Sequence, residues 1–106
     1  MTVFVTQYTP HANFTELNKY SDNVVFLTDK EYKPEPTVPR FNNIVDVEIK
    51  SKMEHYIPGE DYIVTTGSAI PNVLAGMMLA RKKGPHKILK WNNYTKQYEL
   101  FLIRTN

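Results

Sequence analysis

With 106 residues the chain is the size of one domain able to bury its own core, and its net charge of +2 is too small to argue for nucleic acid on electrostatics alone. Cysteine is absent, which excludes disulfides and thiolate-held metals and favours a reducing cytoplasm. No apolar run approaches the ~20 residues that cross a bilayer, and Met1–Val5 lacks the basic start of a secretory signal, so a cytoplasmic location with no membrane partner is expected.

Thr2–Gln7 is short, β-branched and apolar, and reads as a strand. Asn13-Phe14-Thr15-Glu16 has the form of a helix start, with Asn13 as cap and Glu16 closing a capping box. Phe14, Leu17 and Tyr20 then share one face of a short helix that ends near Ser21-Asp22. Val24–Thr28 reads as a second strand, apolar on both faces, as in parallel sheets flanked by helices. Asp29 to Arg40 carries Pro34, Pro36 and Pro39 and reads as an exposed loop, either a plain connection or a partner-binding arm. Phe41–Tyr56 is ambiguous between two periods. Val45, Val47 and Ile49 alternate with charged residues as in a strand, whereas Phe41, Val45, Ile49, Met53 and Tyr56 fall on one helical face. The need for a crossover between parallel strands favours helix, at least over the second half.

Pro58-Gly59 ends that segment, and Tyr62–Thr65 forms a third strand. Ile70–Lys83 is the clearest helix, with Pro71 in its first turn and Gly84-Pro85 as its stop. Arg81, Lys82 and Lys83 suit the negative end of its dipole, and Gly76 inside it predicts close packing on the sheet. Ile88–Trp91 and Gln97–Ile103 complete the chain as a hairpin around Asn92–Lys96. The expected fold is α/β: a three-layer Rossmann-like sandwich with a mostly parallel sheet of four or five strands and a C-terminal antiparallel hairpin.

In such sheets ligands bind beyond the carboxyl ends of the strands. Here those ends are Thr6-Gln7, Thr28-Asp29, Thr65–Ser68 and Trp91–Asn93, all polar. The candidate ligand-binding residues are therefore Thr6, Gln7, Thr28, Asp29, Thr66, Gly67 and Ser68. Gly67 would let a ligand approach the backbone, and free N–H groups at the following helix start would face an anion. The plainer reading makes Gly67 a tight turn and Ser68 an N-cap. No Walker, dinucleotide or nucleophile-elbow pattern is present. Asp29 and Asp61 fall at opposite sheet edges, so they form no carboxylate pair, and each reads as a solvated turn residue. His11, His55 and His86 are scattered without metal-ligand spacing, so no metal and no cofactor are expected. Arg81, Lys82, Lys83, Lys87 and Lys90 lie near Trp91, Tyr94 and Tyr98, a mixture found in single-strand nucleic-acid binders, although helix-dipole complementarity explains the first three.

Asp61–Ser68, Leu74-Ala75-Gly76, Lys87–Asn92 and Tyr98 together resemble small proteins of unassigned function encoded by tailed bacteriophages. The resemblance covers Asp61 to Ile103 and implies a Rossmann-like fold and a viral origin. It carries over no catalytic residue. Three functions follow as expectations. One is a non-catalytic accessory protein that acts on a host protein in the host cytoplasm. Another is a nucleotide- or phosphate-binding domain centred on Thr66, Gly67 and Ser68. The third is nucleic-acid binding around Lys87 to Lys96.

Overall fold

A computed structural model describes residues 1–30 and 43–104. Five strands form one sheet: β1 (Val3–Val5), β2 (Val24–Phe26), β3 (Tyr62–Val64), β4 (His86–Asn92) and β5 (Gln97–Ile103). Their order is β2-β1-β3-β4-β5, with every pair parallel except β4–β5. This is the order of flavodoxin-like doubly wound sheets with the last strand reversed. A 3₁₀ helix (Thr15–Lys19) connects β1 to β2, α1 (Asn43–Met53) precedes β3, and α2 (Ala69–Leu79) joins β3 to β4.

Side chains alternate along the strands, so the two apolar clusters lie on opposite faces of the sheet. One face packs Phe4 and Ile63 against Val45, Ile49 and Met53 of α1 and Ala75 and Leu79 of α2. The other packs Val3, Val5, Val64 and Leu89 against Leu17, with Phe14 and Tyr20 beside it. The third layer is thus a single 3₁₀ turn and its flanking loops. Leu17 is its one fully buried residue, and burying such a side chain stabilises by roughly 1.5–3 kcal/mol.

Several expectations needed correction. The capping box does not form. Asn13 Oδ1 accepts from Thr15 N at 3.1 Å and Thr15 Oγ1 at 2.7 Å, which tightens the chain into 3₁₀ geometry, and Glu16 pairs with Lys19 at 2.6 Å instead. That pairing raises the Lys19 pKa, through the hydrogen bond first and the charge second. The segment around Val45 is helical from Asn43, so Val45 and Ile49 are buried while Val47 is 64% exposed. Residues 41–42 and the proline-bearing stretch from 31 to 40 lie outside the described residues.

β2 is an edge strand, only half-buried, because the order of strands rather than their composition decides which is central. β4 begins two residues earlier than expected, at His86. α2 stops at Leu79 rather than Lys83, and Lys82 serves α1 rather than its own helix. Its Nζ donates to the carbonyls of Met53 (3.3 Å), Glu54 (3.3 Å) and Tyr56 (2.7 Å), at the end of α1 where carbonyls lack helical partners. Gly76 is exposed, and a Cβ there would meet nothing within 4 Å, so close packing on the sheet is not its role.

At the amino edge of the sheet, Asp61 is buried rather than solvated. Its Oδ1 accepts from Thr2 N at 2.8 Å and its Oδ2 from Ile57 N at 2.7 Å, tying β3 to the chain start. Nearby, His86 Nε2 lies 3.1 Å from the Lys82 carbonyl, which can only accept. Nε2 therefore carries the proton, and Nδ1 accepts from the Tyr56 hydroxyl at 2.8 Å. Burial first, and the charge of Asp61 second, push the Tyr56 hydroxyl up to about 12.

Candidate functional site at the carboxyl rim

β1 sends its connection toward β2, and the chain returns across β1 to β3, so the topological switch point lies between β1 and β3. This is where a doubly wound sheet opens its crevice. Thr6-Gln7 leaves β1 there, and Thr65–Ser68 leaves β3 beside it.

The structure brings six of the seven predicted residues into one hydrogen-bonded rim. Thr6 is fully buried, and its Oγ1 accepts from Thr66 N at 2.9 Å and donates to Asn72 Oδ1 at 2.6 Å. Asn72 Nδ2 donates both of its hydrogens, to the Thr66 carbonyl (2.9 Å) and the Ser68 carbonyl (2.8 Å). The Thr66 hydroxyl donates to the Gln7 carbonyl. Gln7 is 97% buried by its 3% exposure, and its side chain fills the crevice: Oε1 accepts from Ser68 N at 2.7 Å, and Nε2 donates to the Lys30 carbonyl at 3.0 Å. The buried Thr28 hydroxyl accepts from Lys30 N at 3.1 Å. Asp29, the seventh residue, is exposed and points to Lys30 Nζ at 3.4 Å, which also meets Glu48 at 3.2 Å. The two carboxylates raise the Lys30 pKa, Glu48 contributing most.

Gly67 has φ +75°, the left-handed region that favours glycine, and a Cβ there would run into the Gln7 carboxamide. Its glycine therefore admits a neighbouring side chain of this chain. Ser68 occupies the N-cap position of α2 without a side-chain cap bond, and its own backbone N–H is held by Gln7. Local reading could not find this arrangement, because the Gln7–Ser68 bond spans 61 residues. Asn72 carried a weak signal, a polar residue in the first turn of an otherwise apolar helix.

Farther along the rim, an open depression of about 330 Å³ is lined by His11, Asn13, Thr66, Trp91, Lys96 and Tyr98 among others. Trp91 and Tyr98 meet edge to face, with ring centroids 5.0 Å apart. Trp91 Nε1 donates to Asn93 Oδ1 at 2.9 Å, and the Tyr98 hydroxyl donates to the Asn13 carbonyl at 2.6 Å. Burial, then the neighbouring Tyr20, pushes the Tyr98 hydroxyl up to about 12. Lys96 takes a positive φ of 59° at the hairpin turn and brings a cation to the margin. The basic residues named in the sequence are divided between the faces. Lys87 Nζ sits 4.1 Å from the Tyr62 ring centroid, on the face opposite that of Lys90, and Lys82 is engaged on α1. No cluster of three metal-ligating side chains occurs among the described residues, and no helix among them is long and apolar enough to cross a membrane.

Strand order and rim define a small doubly wound α/β protein whose switch-point crevice is filled from within. The chain belongs to the phage Pam3 gp32-like protein family, whose family model matches residues 1–105. No curated protein and no solved structure matches it significantly. It is thus a phage-associated protein, as the resemblance over its second half implies.

Proposed function

We propose that the protein is a non-catalytic interaction factor of the phage that docks a host protein on the outer face of α2. One observation carries this reading. The exposed positions of α2 are Ala69, Ile70, Val73, Gly76 and Met77, all apolar, and the helix contains no charged residue. Ile70, Val73 and Met77 are 50%, 57% and 63% exposed. A helix that is apolar all round is ordinarily covered on both sides, and contiguous exposed apolar surface marks interaction sites. Exposed Arg81 and Lys83 lie just beyond its end. The fitting partner therefore presents an apolar surface bordered by carboxylates. The test compares proteins retained from host lysate by the wild type and by Val73→Glu and Met77→Glu, with circular dichroism as a check on folding. A host protein retained by the wild type and lost by both variants supports the reading. Identical retention by folded variants, or no retained protein at all, overturns it.

The rim depression favours a second reading, a small phosphate-bearing ligand with an aromatic moiety. Trp91 offers a stacking edge and Lys96 a cation at the margin. This reading moves the ligand away from the Ser68 amide toward the β4–β5 side. Nucleotide at 100 times its dissociation constant would stabilise the fold by about 2.7 kcal/mol in a thermal-shift assay. Absence of any shift across nucleoside mono-, di- and triphosphates removes it.

A further inference from the structure

The sheet ends in a strand that natural edges avoid. β5 pairs with β4 over all seven of its residues and has no neighbouring strand on its other side among the described residues. Leu100, Phe101, Leu102 and Ile103 are 48%, 46%, 66% and 43% exposed. Four consecutive exposed apolar residues on an open edge are a template for another strand. Gln97–Ile103 contains no proline and no lysine, the residues that usually blunt an edge, and its register with β4 is unbroken by a bulge.

We propose that β5 pairs antiparallel with β5 of a second copy of this chain, about a dyad perpendicular to the sheet at Phe101. Two features single out a second copy. A twofold of this kind keeps the faces of both sheets continuous, so each residue must meet a partner of the same parity along the strand. With Phe101 on the dyad, Leu100 meets Leu102 of the other copy twice over on one face, and the two Phe101 rings meet on the other. The apolar run is therefore complementary to itself. Its ends also carry opposite charges, Glu99 before it and Arg104 after it. Antiparallel pairing brings the acid end of each strand near the basic end of its mate, although Glu99 and Arg104 lie on opposite faces and form no direct pair, whereas parallel pairing would set like ends together. Moving the dyad to Leu102 would lay Arg104 over Leu100, which disfavours that register. The assembly is a ten-stranded sheet with both α2 outer faces left open, so the proposal does not depend on the α2 reading.

The chain has no cysteine, so single cysteines report the register without background. Sedimentation of the full chain should show a dimer whose population rises with concentration. Phe101→Cys should cross-link to itself under mild oxidation, since residues facing each other across an antiparallel pair approach to about 4.5–5.5 Å between Cα atoms. Val73→Cys on α2 should not. Leu102→Lys should weaken association at least about tenfold by charging the paired edge, with an unchanged circular dichroism spectrum because Leu102 is largely exposed. A protein that stays monomeric up to the concentrations of an NMR sample overturns the proposal, as would a partner strand supplied only by some other protein. A dimer that survives Leu102→Lys, or that cross-links at residue 73 and not at 101, overturns it too.

Discussion

Replacing Gly67 with alanine probes the Gln7 bridge directly. The φ of +75° at this position costs a residue with a Cβ about 1–2 kcal/mol. The added methyl also enters the space of the Gln7 carboxamide, so Gln7 must swing away and lose its bonds to Ser68 N and the Lys30 carbonyl. Each such bond is worth about 1 kcal/mol net, so Gly67→Ala is expected to destabilise by about 3–4 kcal/mol. Gln7→Ala alone loses the same two bonds, at about 1.5–2 kcal/mol, water recovering the amide of exposed Ser68. In the double variant the collision is gone and the bonds are lost only once. Its total should therefore fall about 2 kcal/mol short of the sum of the single effects. Urea unfolding of all four proteins measures this. Additivity within about 0.5 kcal/mol, the behaviour of independent sites, would refute the claim that Gly67 is a glycine for the sake of Gln7.

Three other outcomes follow from the packing. Gly76→Ala fills open space on an exposed helix face and should stabilise the chain by about 1 kcal/mol, seen as a rise in Tm of about 4 °C; a neutral or lower Tm contradicts the assigned geometry. Lys82→Met removes the cation that holds three carbonyls at the end of α1 and should cost about 1–2 kcal/mol in denaturant unfolding, whereas Lys83→Met should be nearly silent. Tyr56 and Tyr98 should ionise near pH 12 by tyrosinate absorbance. Because their folded pKa values lie above the ordinary value of 10, the native state holds these protons more tightly than the unfolded chain does. Stability from this source is complete below pH 10 and declines as pH rises from 10 toward 12, so a flat unfolding free energy across that window would count against both burials.

The strand-turn-helix unit from Tyr62 to Leu79 was legible because its signals are local: a β-branched run, a glycine that must turn, and a proline in the first helical turn. The hairpin was legible for the same reason. The carboxyl rim was legible as a set of strand ends, and Gln7 does bridge Ser68 to Lys30 on that one edge. What local patterns miss is who occupies whom. Gln7 reaches an amide far along the chain, Lys82 serves the other helix, and β2 is outermost although its residues look central. Val47 shows the same limit in one residue, since alternation with its neighbours suits a strand and only the required crossover selects a helix. The capping box failed because Asn13 found a nearer donor in Thr15.

The first strand of the chain lies in the middle of the sheet, with Val3–Val5 facing Val24–Phe26 on one side and Tyr62–Val64 on the other. During translation β1 is therefore the earliest made of the five strands, yet it stays open on one side until β3 emerges. A nascent chain ending before Tyr62 could assemble at most a two-stranded ribbon, which is marginal in water. Closing so long an intervening loop also slows folding. The half-made protein would expose Phe4 and Ile49 on the ribosome, and productive folding waits for β3 to emerge.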